Sequence, residues 1–426
     1  MKIPAALADA VCLGTLEPPG PPPPLSDPEI EAALARPIWP PGRGGAVFDI
    51  VRPGESVCLV VSDTTRKTAA DRVLPVLLDG LRRNGCAWTD MFVLVATGIH
   101  RPPTPAEIEQ ILSSPVFREF QGRLFVHDPD DEANLVAVGV TKRGHAVRLN
   151  RRAAEADRLV PLGAASYHYH AGFGGGRKSL VPGLADRRTI AHNHSLTLDP
   201  EQDRVRPGVE LGALDGNPVA EEMLEAAYLC EPDIIINTVL TPDGGLAGVF
   251  SGELDAAHRA ACRLVEKLCR VDIPERADFV VASAGSAPNW IQSHKALYNA
   301  SRAIREGGRI VLLAPCPEGI GNERFRYWIK KPGIGEIFKG LRQSDEVLGQ
   351  TALSTKTRGA AAILVTRMAQ ADIDDLGLET APDEETAIRR VLDRFTREGT
   401  RRPTYYLMPH AGQVAPFIGA SGRNPS

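Results

Sequence analysis

No C-x-x-C pair occurs anywhere in this chain of 426 residues. Its seven cysteines, Cys12, Cys58, Cys86, Cys230, Cys262, Cys269 and Cys316, are scattered and odd in number. That argues against a disulfide framework or a zinc cluster and for a reducing compartment. No apolar run reaches the ~18 residues needed to span a bilayer, and the N-terminus lacks the basic-then-apolar pattern of a secretory leader. The cytoplasm is the expected location, with no membrane partner. A strong charge of one sign is lacking too: a net charge of −4 suggests no nucleic-acid surface. Nor is there an internal repeat of fixed period.

What the chain has is the material of a globular protein. It is 43% hydrophobic and 24% charged, enough for a buried core, and its length suggests two to three domains. A proline-rich stretch from Glu17 to Gly45 reads as an extended spacer with a short helix near Asp27 to Leu34. Regular structure begins at Ser56. The apolar runs Val57 to Val61, Phe92 to Ala96 and Leu124 to Val126 read as buried parallel strands. They end in Ser62-Asp63-Thr64-Thr65-Arg66, Thr97-Gly98-Ile99-His100-Arg101 and His127-Asp128, and the first two lead into helices from about Ala69 and Thr104. Alternating strand, polar loop and helix predicts a doubly wound α/β domain with its ligand at the carboxyl ends of the strands, where these polar residues should converge.

Ile234 to Asn237 predicts a further strand and Asp255 to Cys269 a helix. A second α/β unit is expected from Ala277, with a strand at Ala277 to Ser283, a helix from about Gln292 to Arg305 and a strand at Arg309 to Ala314. Helices at Ile334 to Leu348, Lys356 to Ala369 and Glu384 to Thr396 and a strand at Tyr405 to Met408 follow. The expected division is residues 1–272 and 273–400, each an α/β domain with a mainly parallel sheet.

The stretch from Ser166 to Ser195 suits a ligand better than a core, because it gathers four histidines and one lysine around a glycine-rich turn. Gly172, Gly174, Gly175 and Gly176 lack Cβ atoms, so the backbone can take positive φ and its N–H groups can close on an anion or ring. A P-loop would need glycine at 177, where this chain has Arg177, so the ATPase reading fails. Lys178 remains beside a nucleotide-sized hole, with His168 ten residues before it and His194 sixteen after. Histidine serves both as a metal ligand and as a proton carrier near neutral pH. His170 and His192 each lie two residues from these two, and in an extended segment alternate side chains share a face, so residues alone leave either open as the ligand.

The run His168…Ala171-Gly172-Phe173-Gly174-Gly175-Gly176-Arg177-Lys178…Pro182-Gly183…His194 resembles the central motif of the lactate racemase family, 2-hydroxyacid racemases and epimerases that use a nickel-pincer nucleotide. The resemblance implies that Lys178 is joined covalently to the pincer, Ni(II) with pyridinium-3-thioamide-5-thiocarboxylic acid mononucleotide. It implies further that His194 ligates nickel, that Gly174, Gly175 and Gly176 border the cofactor, and that His168 is one of two acid/base groups. The second is His100, since Gly98-Ile99-His100-Arg101 matches the family's G-x-H-R.

Asp63-Thr64-Thr65-Arg66 matches S-D-x-T-R, whose loop holds the cofactor's phosphate and ribose and whose arginine binds the substrate carboxylate; ordinary helix capping is the alternative. Gln292-Ser293-His294-Lys295 resembles the Q-S-x-K whose glutamine and lysine also bind the carboxylate, at an interdomain cleft, and residues 401–426 resemble a chain end that packs back on the first domain. His127 is expected only to border the cofactor. Upstream of Gln292 the chain has Ser286-Ala287-Pro288-Asn289-Trp290-Ile291 where lactate-racemising members carry Tyr-Pro-x-Asp and an aromatic hydroxyl. A less polar pocket and a more aliphatic 2-hydroxy acid are the expectation.

The implied reaction takes the hydroxyl proton to a base and moves hydride to the pincer, so that a planar 2-oxo acid can receive hydride on its other face. Partners would be the small-molecule substrate and the proteins that synthesise the cofactor. Three other functions are compatible with parts of the pattern. They are a sugar-acid 2-epimerase of the same family, a pyridoxal-phosphate enzyme with Lys178 as Schiff base, and a non-catalytic nucleotide- or metal-binding protein.

Overall fold

A run of side chains that is apolar at every position, not every second one, must be covered on both faces. Val57–Ser62 shows the result: Leu59 and Val61 pack into one buried cluster, Cys58 and Val60 into another on the opposite face of the sheet. A computed structural model describes residues 5–343, 348–400 and 402–419. The chain divides into two compact units, one spanning Pro21–Glu266 and the other joining the segment up to Gly20 to everything from Lys267 onward.

The larger unit holds a six-stranded sheet in the order Leu246–Gly252, Ile235–Leu240, Arg158–Ala165, Val57–Ser62, Met91–Ala96, Leu124–Val126. All neighbours are parallel except the first two, which form an antiparallel hairpin. Helix Ala70–Arg83 lays Val73, Leu74, Leu77, Leu78 and Leu81 on one side of the sheet and keeps Arg82 and Arg83 in its last turn.

The second unit has its own six-stranded parallel sheet, ordered Val11–Thr15, Thr404–Met408, Ala277–Ser283, Ile304–Leu313, Ala362–Val365, Glu379–Thr380. Its core includes Phe279, Val281, Val311, Ile363, Val391, Phe395 and Leu407. This corrects the expected division at both chain ends. Residues 11–15 pair with 404–408, so the N-terminal segment belongs to the second unit, and so does the C-terminal strand that was expected to complete the first. Residues 401 and 420–426 of that expected segment lie outside the described residues.

Two element predictions also fail. The helix expected over 356–369 is helix Leu348–Gly359 followed by strand Ala362–Val365, because the apolar run there is buried on both faces as an inner strand. The helix expected to reach Arg305 stops at Ser301, and Ile304 already begins a strand. The helix expected over 334–348 is observed as Ile334–Leu341, and residues 344–347 lie outside the described residues.

Phe279 is fully buried and stacks on Tyr405 at 5.3 Å between ring centroids. Phe279→Ala should cost about 3–5 kcal/mol. Urea denaturation followed by circular dichroism checks this, and a loss below about 1 kcal/mol would mean that this face is not core.

Candidate active site

In the larger sheet, strand Val57–Ser62 runs on to neighbours in one direction and Arg158–Ala165 to neighbours in the other, so the strand order reverses between them. At such a reversal the loops leaving the carboxyl ends part to opposite faces and open a crevice. The loop after Ser62 carries Asp63 to Arg66, the loop after Ala165 leads to His168, and the loop after Ala96 carries His100.

Asp63 is almost wholly buried and accepts three hydrogen bonds within this edge. Its Oδ1 takes the Thr65 N–H at 3.0 Å and the Thr65 hydroxyl at 2.6 Å, and its Oδ2 lies 2.7 Å from Nδ1 of His100. Burial alone would raise this carboxyl, but the bonds from His100 and Thr65 outweigh it and hold Asp63 below the usual carboxylate range. An ionised carboxylate only accepts, so His100 donates Nδ1–H and keeps Nε2 free of this bond. The imidazole is nearly half exposed. It is thus arranged as a base whose charged form has a carboxylate behind it. Asp63 was expected to hold cofactor; what the structure shows it holding is His100.

Short strands Tyr167–His168 and Gly172–Phe173 form a hairpin that feeds the glycine turn into helix Arg177–Leu180. The glycines are demanded by close packing. A Cβ on Gly172, at φ +69°, would lie 1.9 Å from the Ala213 carbonyl oxygen, and one on Gly175, at φ +137°, 2.5 Å from the His258 ring. Asn237 Oδ1 accepts the Gly176 N–H at 2.9 Å, and Nε2 of His258 lies 2.6 Å from the Gly174 carbonyl oxygen, to which it donates. Neither Asn237 nor His258 was picked out from the sequence, since one reads as strand interior and the other as helix interior.

Lys178 opens into this edge with Nζ 3.3 Å from Nε2 of His168. Burial, with Arg66 and then Arg177 nearby, lowers its amine to about 7. Nδ1 of His168 accepts two backbone N–H groups, from His170 at 3.2 Å and Ala171 at 3.1 Å. A neutral imidazole carries one proton, so His168 carries it on Nε2. Burial, and after it Lys178, His170, Arg66 and His194, push the ring well below the ordinary imidazole range. In this orientation His168 offers a proton, not a lone pair.

His192 and His194 lie on helix Arg187–Ser195, not on an extended segment, so two residues of spacing sends them to different faces. Nδ1 of His194 donates to the Ile190 carbonyl at 2.7 Å, which leaves its lone pair on Nε2. Burial lowers it to about 4, opposed by that hydrogen bond and assisted by Lys178 and His100, so the ring is neutral at physiological pH. His192 instead bonds buried Glu222 at 3.1 Å and stacks on His145. His127 is buried, bonded through Nε2 to the Ala185 carbonyl and through Nδ1 to Asn150, so its ring serves packing and not a cofactor border. The main-chain oxygen of His170 accepts from Asn217.

His194 fits a metal: neutral, with a fixed tautomer and a second partner orienting the ring. Among the described residues no group of three or more His, Cys, Asp or Glu side chains comes together to hold an ion.

Gln292 and Lys295 lie in the second unit, on helix Trp290–Ser301, and both are exposed. Trp290 corrects the basis of the substrate expectation. Its indole is fully buried in that unit and donates to Thr355 Oγ1 at 3.1 Å, so it lines no pocket, and of the two departures only partly exposed Ile291 is near a surface.

The profile of the lactate racemase N-terminal domain matches residues 1–205. The lactate racemase of Thermoanaerobacterium thermosaccharolyticum is 31% identical over 286 residues, 66% of this chain and 65% of that protein. The lactate racemase of Lactiplantibacillus plantarum is 32% identical over 305 residues, 71% of this chain and 69% of that protein. In fold, the chain is similar to the lactate racemase apoprotein of T. thermosaccharolyticum, with a TM-score of 0.81 at 24% identity over 98% of this chain and 97% of that one. A protein from Thermotoga maritima superposes with a TM-score of 0.63 at 17% identity over 94% of this chain and all of that one. None of the described helices is long and apolar enough to cross a membrane. By sequence, over more than two thirds of a relative's length, and by the fold of both units, the chain belongs to the lactate racemase family of enzymes.

Proposed function

We propose that the chain is a racemase or epimerase of 2-hydroxy acids that works with a nickel-pincer nucleotide tethered at Lys178. The supporting observation is that His100, His168, Lys178, His194 and Arg66 stand close enough for their charges to act on one another: Lys178 and His100 on His194, and Lys178, Arg66 and His194 on His168. A tethered nucleophile, a neutral ligand and two imidazoles of unlike support are the parts that inversion of a carbinol carbon needs.

When bound, the cofactor supplies a hydride acceptor, which spares the protein the task of making a dianionic enediolate. His100, backed by Asp63, takes the hydroxyl proton from one enantiomer. His168 serves the opposite side, where its Nε2–H donates a hydrogen bond to a substrate oxygen; to accept a proton at Nε2, its ring must turn away from the two amides and carry its own proton on Nδ1. Arg66 meets the substrate carboxylate, and Gln292 and Lys295 carry the carboxylate-binding role that the family's Q-S-x-K implies. Asp63, Thr64 and Thr65 are the loop by which the nucleotide's phosphate and ribose are held, and Gly174 to Gly176 bring the backbone alongside it. Ile291 favours an aliphatic substituent on the substrate; a sugar acid is the alternative.

Co-expression with the cofactor's biosynthetic proteins, followed by polarimetry on lactate, longer aliphatic 2-hydroxy acids and sugar acids, tests the proposal. Loss of optical purity is expected, and its absence for all of them in nickel-loaded enzyme would refute it. His100→Ala should lower kcat by about 10²–10⁴-fold without loss of nickel. Asp63→Asn should lower kcat by about tenfold or more with KM little changed, because it removes the charge behind the imidazolium and not the substrate contact. His194→Ala should lose nickel by elemental analysis yet keep the nucleotide mass on the Lys178 peptide. Arg66→Ala or Lys295→Ala should act mainly on KM.

A further inference from the structure

The contact between His168 and Lys178 has a polarity that constrains both groups. Since Nδ1 of His168 is filled by the N–H groups of His170 and Ala171, its single proton points from Nε2 toward Nζ, 3.3 Å away. An ammonium has three N–H bonds and no lone pair, so it would meet that proton donor to donor. Only the free amine completes the bond.

We infer that His168 and Lys178 form an interlock in which the Nε2–H of His168 is donated to Nζ of Lys178, holding the amine as an unprotonated nucleophile until the cofactor is attached, after which the same N–H is freed to hydrogen-bond in the substrate site. This rests on the function proposed above and adds to His168 a task that precedes catalysis. The charged groups acting on Nζ are Arg66, from the loop after Ser62, and Arg177, from its own helix, both cationic and both opposing an ammonium. Those acting on His168 are Lys178, His170, Arg66 and His194, from the same hairpin, the glycine turn, the Ser62 loop and helix Arg187–Ser195, and all oppose an imidazolium. Burial works in the same direction on both.

In the attachment step the hydrogen bond from His168 opens, and the Nζ lone pair it occupied forms an N–C bond to an activated acyl or thioacyl carbon. The leaving group departs with its bonding electron pair and takes one of the two amine protons. The product nitrogen is amide-like, its lone pair delocalised, and no longer accepts a hydrogen bond. His168 then has no acceptor at Nζ and its Nε2–H turns to a substrate oxygen. Before attachment it is occupied.

The test uses the full chain from a host without the cofactor pathway. It is pulsed with acetic anhydride between pH 5 and 11, and each lysine is read by peptide mass spectrometry. Lys178 should reach half-maximal acetylation near pH 7, with exposed Lys339 as the internal reference. His168→Phe keeps the ring's bulk and removes the donor, so it should move the Lys178 midpoint up by about one pH unit, a roughly tenfold slower reaction at pH 7. Ring ¹⁵N shifts of the unsubstituted chain give a second readout that needs no variant: the Nε2–H tautomer is expected, and Nδ1–H would overturn the proposal. So would a Lys178 profile like that of Lys339, or one that His168→Phe leaves unchanged. These outcomes are independent of racemisation by loaded enzyme, so failure of the interlock and failure of the proposed function can be told apart.

Discussion

The site depends on one pairing, that of strand Val57–Ser62 with Arg158–Ala165. These strands are some hundred residues apart in sequence, and their parallel register sets the loop bearing Asp63 and Arg66 beside the one leading to His168 and Lys178. The pairing is held by burial on both faces, not by anything in the loops. Gly163 shows how tight the fit is: a Cβ there would sit 2.8 Å from the Cα of Gly176, so the glycine turn can lie against this strand only where the strand lacks a side chain. A rigid sheet supplies positions, and the loops are free to carry chemistry.

From that arrangement comes an electrostatic character. Arg66 and Arg177 flank Lys178, while Asp63, the nearby carboxylate, is committed to His100. Burial, with the neighbouring cations adding to it, is why Lys178 and His194 are both expected neutral or nearly so around neutral pH. Such surroundings suit an anionic guest, a nucleotide or a carboxylate, whose charge would relieve the repulsion. The two imidazoles are supported unequally, His100 by a carboxylate and His168 by backbone amides.

Much of the first sheet was legible because its strands are unbroken apolar runs. Val57 to Val61 and Phe92 to Ala96 announce burial on two faces, and their polar ends announce the site. Arg158–Ala165 was not legible, since Pro161 and Gly163 are residues that ordinarily argue against an inner strand. Val11–Thr15 is a half-exposed edge whose only partner lies some 390 residues away, and nothing local points to it. Among candidate site residues, His100, His168, Lys178 and His194 were singled out by the family resemblance, while the residues alone left His170 and His192 equally open. The bond between Asp63 and His100 joins two separate loops and was readable from neither, and the fate of Trp290 depended on Thr355, which sequence neighbourhood does not reveal. Spacing along a helix or turn is a local property; which loop tip faces which is a property of the sheet.

The place of Thr404–Met408, between Val11–Thr15 and Ala277–Ser283, bears on how the molecule comes into being. A ribosome releases strand Val11–Thr15 some 390 residues before the strand it must lie against. The unit from Pro21 to Glu266 has all its own residues once Glu266 has emerged, whereas the other must wait, with its sheet lacking an inner member, until Thr404–Met408 has emerged. A premature stop shortly before Thr404 would therefore spare the residues around Lys178 and leave the companion sheet split into pieces, with its N-terminal strand stranded from the rest.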